Sequence, residues 1–443
     1  MKRKFRFNSV ILAFLIPITL LGLISLLDID PTQSAQENRS LKKIPAFSLQ
    51  TFLSGEYTRE VEAYYADTFP VREGFTRISS VVKNWKGVGD TIYMGSGEVN
   101  LGQGEAYYEE TPQPDQESAR PTPAVTASPG QEGTVPTPTP AVNTPPPDDA
   151  AQLQGAVLVV DDAAMELFYN DTRAKEIYAD SINTLTASLD EKIRVYSLLA
   201  PTSLEFGAPQ SYRKDAYSQQ KAIADLNTMM QGVIPVDAYK NISNHQTEYV
   251  YFRTDHHWTA RGAYYAYQAF CQAAGFEQPE ALDSFKSGEA EGFLGSYYRL
   301  TQSEALKANP DSVEYFWPKT QTSATAYKDS SLQGGYKLSV LKPDIDASNT
   351  YMMFIGGDHP IVKITTDAGA GRKIVMIKES FGNALAPWLT NNYDEIWVVD
   401  PRLTSFNLNN FMKQQQVEEL LIVNYTIGTT SGGYCKQLKA LAD

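Results

Sequence analysis

The apolar positions of the chain fall into distinct regimes. Residues 8–27 are all uncharged. That run matches the ~20 residues an α-helix needs to cross a bilayer and exceeds the ~7–15 of a signal-peptide core. Farther on, Phe52, Tyr57, Val61, Tyr64 and Tyr65 recur at spacings that place them on one helical face. A second amphipathic stretch covers 75–85, and Asp67, Thr68 and Pro70 mark a stop and restart between the two. Residues 91–101 alternate and carry Gly95 and Gly97, with Gly102 just beyond, which predicts short strands and turns. From 110 to 152 the pattern vanishes: Pro, Thr, Ala, Gln and Asp dominate, and no aromatic residue, Leu or Ile occurs before Leu153. Such a segment cannot bury enough apolar surface to offset its chain entropy, so 110–153 reads as an extended, disordered, partly polyproline linker or insertion.

The main body, 154–443, returns to regular alternation of element types. Strands are predicted over 156–160, 193–199, 233–236, 351–355, 373–378, 396–399 and 421–423. Helices are predicted over 174–189, with Ile177, Tyr178, Ile182 and Leu185 inward, and over 219–230, 262–274, 384–389 and 417–420. Residues 284–340 read as a loop-rich insertion. Strands alternating with helices imply an α/β domain with a mostly parallel sheet, and in such sheets function gathers at the carboxyl ends of the strands. The segment 36–109 is expected to pack on this domain.

Charge fixes the orientation. Lys2, Arg3, Lys4 and Arg6 precede the apolar run, and a basic flank stays in the cytoplasm. Residues 1–28 are therefore expected to be an uncleaved signal-anchor, in preference to a signal peptide cut near Ser34-Ala35, with the rest of the chain outside the cytoplasm. The net charge is −14, which with no basic cluster beyond the N-terminus excludes a nucleic-acid partner. Cys271 and Cys435 are the two cysteines; one disulfide and two buried thiols are both open.

Two of the four histidines stand side by side in Asp255-His256-His257-Trp258. An imidazole oriented by a carboxylate is a base that works near neutral pH. In an extended segment residues i and i+2 point the same way, so Asp255 can orient His257 while His256 points away. A hydroxyl nucleophile suits a sharp strand-to-helix turn, where amides and a helix N-terminus meet developing negative charge. Ser380 has an apolar strand before it, Gly382 two residues after it and a helix beyond; the bland alternative is a helix N-cap. Ser203 and Ser296 fit less well. Gly356, Gly357 and Gly382 are candidates for bringing oxyanion amides close. Arg253 and Arg402 are candidate anion binders, with structural ion pairs the commoner use. Trp258 is a candidate sugar-facing aromatic, with core packing the commoner role. Glu379 is expected to face solvent, His359 to lie near the site, and His245 to have no role.

The Asp255-His256-His257-Trp258 stretch resembles the DHHW protein family of Gram-positive bacteria, which is similar to the SGNH-hydrolase-like alginate O-acetyltransferases. The resemblance takes in the N-terminal anchor, Glu37-Asn38-Arg39, Asp67-Thr68-Phe69-Pro70-Val71-Arg72, Ala200-Pro201-Thr202-Ser203 and Lys378-Glu379-Ser380-Phe381-Gly382-Asn383, and omits the linker. It implies an SGNH-like three-layer fold and an Asp255, His257, Ser380 triad. That chain order is the reverse of ordinary SGNH esterases, and their early Gly-Asp-Ser block is absent. The resemblance further implies a cell-surface polysaccharide as substrate, no cofactor, and a membrane-bound O-acyltransferase as acetyl donor. Transfer to a sugar and hydrolysis by water both remain open, because their first half-reactions are identical. So do a metal-dependent hydrolase using Asp255, His256, His257, Asp358 and His359, and a non-catalytic envelope assembly factor.

Overall fold

The structure, a computed structural model, describes residues 156–443 throughout, 151–154, and isolated positions between 33 and 64. The expected membrane span, the stretches 75–85 and 91–101, and almost all of the linker lie outside the described residues. Among the described residues no helix is long and apolar enough to cross a membrane. The chain divides into two units, Met1–Gly102 and Gln103–Asp443. In the first, β1 (Gln33–Ser34) pairs antiparallel with β2 (Arg39–Ser40). Phe52, Tyr57, Val61 and Tyr64 are helical, in keeping with their spacing.

The second unit opens with an antiparallel meander of β3 (Ala151–Gln154), β4 (Val157–Val160) and β5 (Ala163–Glu166). β3 starts inside the stretch read as linker, since a polar segment becomes a strand here only by pairing with β4. There follow α1 (Thr172–Ala187), β6 (Arg194–Ala200), α2 (Ser203–Gly207), α3 (Gln219–Met229), β7 (Ile234–Val236), α4 (Ala238–Asn244) and α5 (Ala260–Ala274). The middle of the unit holds β8 (Ser287–Phe293), α6 (Ser296–Thr301), α7 (Glu304–Ala308), β9 (Asp311–Phe316), β10 (Thr322–Tyr327), β11 (Tyr336–Leu338) and β12 (Ile361–Thr366). The chain ends with β13 (Lys373–Lys378), α8 (Phe381–Leu389), β14 (Glu395–Val399), α9 (Leu408–Gln415), β15 (Glu419–Tyr425) and α10 (Gly432–Lys439).

Eight strands form the central sheet in the order β11-β10-β12-β14-β13-β15-β6-β7. From β14 to β7 all neighbours are parallel. β12, β10 and β11 extend the sheet antiparallel, so it is mixed rather than mostly parallel. The parallel strands explain their unbroken apolar sequences, because they are covered on both faces. Ile374 and Met376 of β13, Leu421 and Val423 of β15, and Leu198 of β6 join one core with α5 and α8. Val375, Ile377, Leu420, Ile422 and Leu199 join the core on the other side with α1, α3, α9 and α10. Helices on both faces of one sheet make three layers. Cys271 and Cys435 are free and buried in these separate cores.

Several expectations are corrected. Residues 284–340 hold four strands, and the polar-apolar pattern of β10 suits an outer strand with one buried face. Residues 351–353 close a 3-10 helix, Ala347–Met353, and are not a strand. The stretch 417–420 leads into β15 and is not a helix, since four residues with two apolar positions carry no decisive period. In α1, Tyr178, Ile182 and Leu185 are buried but Ile177 is exposed.

The helix after the histidines is set tightly. Thr259 Oγ1 accepts from Gly262 N–H at 3.2 Å, and Gly275, at φ +73°, ends α5 in the left-handed region. A Cβ on Gly262 would overlap the Val250 carbonyl, so glycine lets the histidine loop press against its own helix.

Candidate active site

The Asp255-His256-His257 segment is the tip of a tight loop. Tyr251 and Trp258 bridge antiparallel at its base. Phe252 N–H donates to His257 O at 3.3 Å, and Thr259 N–H to Val250 O at 3.0 Å. The tip is bent, not extended, so His256 does not point away from its neighbours: its ring centroid lies 3.7 Å from that of His257.

Asp255 Oδ1 accepts from the backbone N–H of His257 at 3.0 Å and from its Nδ1 at 2.6 Å. Asp255 Oδ2 accepts from Ser296 N–H at 2.7 Å. Burial opposes the charge on Asp255, but His257, by its charge and its hydrogen bond, outweighs it and holds the carboxyl well below the usual carboxylate range. Across the loop, Ser380 begins the turn from β13 into α8. Its hydroxyl does not cap that helix; Oγ lies 2.7 Å from His257 Nε2. Asp255 and His257 are buried, whereas Ser380 is partly exposed. The three sequence-predicted residues thus form one hydrogen-bonded line that ends at a partly exposed serine.

Aromatic side chains lock this line. Tyr351 stacks on His257 at 3.8 Å and 10°, and its hydroxyl donates to Ser380 O at 3.0 Å. Trp258 is fully buried, so it lines no sugar face. Its Nε1–H donates to Phe381 O at 2.9 Å, while Trp388 Nε1–H of α8 donates to Ala260 O of α5 at 3.1 Å. The two tryptophans therefore tie the histidine loop and the serine helix together reciprocally.

Beneath the serine turn lies a buried charge network. Lys378 Nζ is 2.7 Å from Asp358 Oδ1 and 3.2 Å from Asp400 Oδ2. Arg402 bonds both of these carboxylates at 2.6 Å, and Asn383 Nδ2 donates to Asp358 at 2.9 Å. Arg402 is thus committed to structural pairs. Glu379 does not face solvent: it is 3% exposed, and its carboxylate accepts from Phe381 N–H at 2.9 Å and Tyr425 N–H at 3.0 Å. Burial pushes its pKa up.

Other candidates fall elsewhere. Arg253 pairs with Asp311 at 3.2 Å and Asp162 at 3.5 Å. Gly356 and Gly357 have φ of +72° and +89°, and Gly357 N–H donates to Phe354 O. A Cβ on Gly356 would press on His359 Nε2, whose ring also meets Tyr336 Oη at 2.8 Å. Gly382 N–H donates to Glu379 O, and a Cβ there would overlap the Lys378 side chain. His245 stacks on Tyr265 and bonds Glu248.

Tyr351 and Glu166 escaped the sequence reading of the site, and Ser296, read there only as a weaker nucleophile candidate, instead holds Asp255 and His256. Gly295-Ser296 was the available signal, because a Cβ on Gly295 would collide with Asp255. Glu166 is buried near Tyr297 and Tyr425, its Oε2 has no partner among the described residues, and burial pushes its pKa from 4.5 to about 8. The folded state therefore prefers the neutral carboxyl. Its contribution to stability is complete below about pH 4.5 and is lost as pH rises through about 8. Glu166→Gln is expected to flatten the fall in Tm between pH 5 and 9, a difference on the order of 4 kcal/mol; equal slopes in the two proteins would refute this.

Ligand atoms of Asp255, His256 and His257 lie within 4.8 Å of one another. Both Asp255 oxygens and both His257 ring nitrogens are already committed to the hydrogen bonds above. The trio also falls short of the ~4 ligands of a closed metal site, so the arrangement fits proton transfer better than metal binding.

A DHHW family protein from Eubacterium siraeum is 30% identical to this chain, with 65% of this chain and 96% of that one covered at a TM-score of 0.59. Bacillus cereus PatB1, solved with a sulfonyl adduct, is 21% identical over 65% of this chain and 99% of its own, with a TM-score of 0.52. A more distant likeness, 13% identical with a TM-score of 0.36, covers 66% of this chain and 98% of the O-acetyltransferase domain of Pseudomonas putida AlgJ. No curated protein matches the chain. The DHHW protein family pattern matches residues 37–106 and 129–399, a span that includes the histidine loop and Ser380, and the chain belongs to the DHHW protein family.

Proposed function

We propose that this protein is an extracytoplasmic acyl-ester enzyme that O-acetylates a cell-surface polysaccharide through a Ser380 acyl-enzyme. The observation that carries the reading is the line from Ser380 Oγ to His257 Nε2 at 2.7 Å and from His257 Nδ1 to Asp255 Oδ1 at 2.6 Å. As Ser380 Oγ bonds to the acyl carbon, its proton passes to His257 Nε2. Asp255 holds the imidazole tautomer and stabilises the imidazolium. His257 returns the proton to the departing oxygen, leaving acetyl-Ser380. A sugar hydroxyl, deprotonated by the same histidine, then takes the acetyl group as the Ser380 Oγ–carbon bond breaks and Oγ recovers the proton from His257; water in its place makes the protein an esterase. The chemistry needs no cofactor.

The uncharged run 8–27 with its basic flank supports a single-pass anchor with the catalytic unit outside the cell. Acetyl-CoA is absent there, so a membrane-bound O-acyltransferase would supply the acetyl group. A purely non-catalytic assembly role fits poorly with a serine hydroxyl aligned on its base. Mass spectrometry after exposure to an aryl acetate is expected to find one acetyl group on Ser380. Adding oligosaccharide should speed loss of the adduct if the protein is a transferase. No adduct, with turnover unchanged in Ser380→Ala, would overturn the reading.

A further inference from the structure

His257 lies between two rings. Tyr351 covers it at 3.8 Å and 10°, and His256 approaches at 3.7 Å and 38°. Two rings that close cannot share one face of an imidazole, so they occupy opposite faces. The Nδ1 edges of both histidines turn to one carboxylate oxygen: Asp255 Oδ1 is 2.6 Å from His257 Nδ1 and 3.6 Å from His256 Nδ1. Neighbouring imidazoles that share an Nδ1 direction both direct Nε2 away from the carboxylate. The Nε2 of His257 meets Ser380 there, so the Nε2 of His256 opens on the nucleophile's side.

Hydrogen-bond accounting sets the tautomer of His256. Ser296 Oγ accepts from the His256 backbone N–H at 3.3 Å and lies 2.7 Å from His256 Nδ1. Among the described residues Ser296 Oγ has no other partner, so its proton goes to Nδ1. An Nδ1 that accepts leaves the ring hydrogen on Nε2. Burial, with His257 beside it, pushes the His256 pKa down to about 3, which keeps the ring a neutral donor at neutral pH.

At a strand-to-helix nucleophile turn, the amide after the nucleophile ordinarily serves the oxyanion. Here Phe381 N–H is held by Glu379 Oε2 at 2.9 Å, and Gly382 N–H by Glu379 O at 2.9 Å. With these two amides engaged, the turn is left with the Ser380 N–H, and an oxyanion held by two donors needs a second from outside the turn.

We propose that His256 Nε2–H is an oxyanion donor, and hence a catalytic residue of the acyl-transfer reaction. The assignment rests on the acyl-enzyme reading above. When the Oγ–carbon bond forms, the carbonyl π pair moves onto oxygen and the Oγ proton moves to His257. The oxyanion then accepts from His256 Nε2–H. When the carbonyl re-forms, the leaving alkoxide departs with the proton from His257. His256 is neutral throughout.

The test uses the full chain, an aryl acetate substrate and a boronic acid that forms a tetrahedral adduct on serine. His256→Phe keeps a ring in the stack and removes the donor. It is expected to lower kcat by about 100-fold or more with little change in KM, and to weaken boronate binding in parallel. His256→Gln, whose amide still donates, should retain most of both. Ser296→Ala leaves the backbone N–H to Asp255 in place but frees His256 to change tautomer; a loss of about tenfold is expected, a fraction of the full donor effect. Unchanged kcat and boronate affinity in folded His256→Phe, with Ser380→Ala inactive, overturns the donor assignment alone. If His256→Phe does not fold, unchanged boronate affinity in Ser296→Ala overturns it. Full activity in Ser380→Ala would instead overturn the underlying reading.

Discussion

Ser380→Ala is expected to lower kcat for aryl acetate turnover by about 10⁶-fold, and His257→Ala by a similar factor, with the double variant no worse than either alone. The non-additivity follows from the geometry. Ser380 Oγ and His257 Nε2 are joined directly at 2.7 Å, so each is idle without the other. Asp255→Asn should cost less, about 10⁴-fold. Asp255 Oδ1 receives two donors from His257, and an amide turned to present its NH₂ group would force the wrong imidazole tautomer. Steady-state kinetics, with circular dichroism to confirm folding, check all three. A fall of less than tenfold in Ser380→Ala would mean that the aligned hydroxyl is not the nucleophile.

Lys378→Ala is expected to destabilise the second unit by about 3–5 kcal/mol, the usual cost of removing one member of a buried ion pair. Lys378 has no exposed side-chain surface, and neither has Asp400. Without the ammonium, Asp358 and Asp400 face each other with Arg402 as their remaining cation. The loss should register as a lower urea midpoint at an unchanged m-value. Because Lys378 immediately precedes the Glu379-Ser380 turn, activity per folded molecule should fall as well. A change under about 1 kcal/mol would show that water or a side-chain shift replaces the cation.

Much of the fold could be read from local pattern. The strands at 157–160, 194–200, 373–378 and 395–399 are apolar runs between turn residues, and the helices at 172–187, 219–229 and 260–274 carry clear periods. Segments whose structure comes from pairing were obscure. β8 reads SGEAEGF and gains its strand character from β9. α9 is short and largely polar, so its period carries little weight. At the site, Asp255 and His257 announce themselves by proximity in the chain, and Ser380 by its strand-to-helix turn. Ser296, Tyr351 and the Lys378 network do not, because each acts on a partner brought near only by the fold. His256 was misread for a simpler reason: i and i+2 geometry holds for an extended strand, and the loop is bent.

The reciprocal tryptophan tie has a consequence for when the site is assembled. The indoles of Trp258 and Trp388 reach partners 123 and 128 residues away, and His257 meets Ser380 across 123 residues. During synthesis from the N-terminus, the imidazole and its carboxylate emerge well before the hydroxyl they meet. Neither half of the tie can form until α8 has followed. A nascent or truncated chain that stops short of α8 therefore lacks the complete site, which arises in one late, long-range closure.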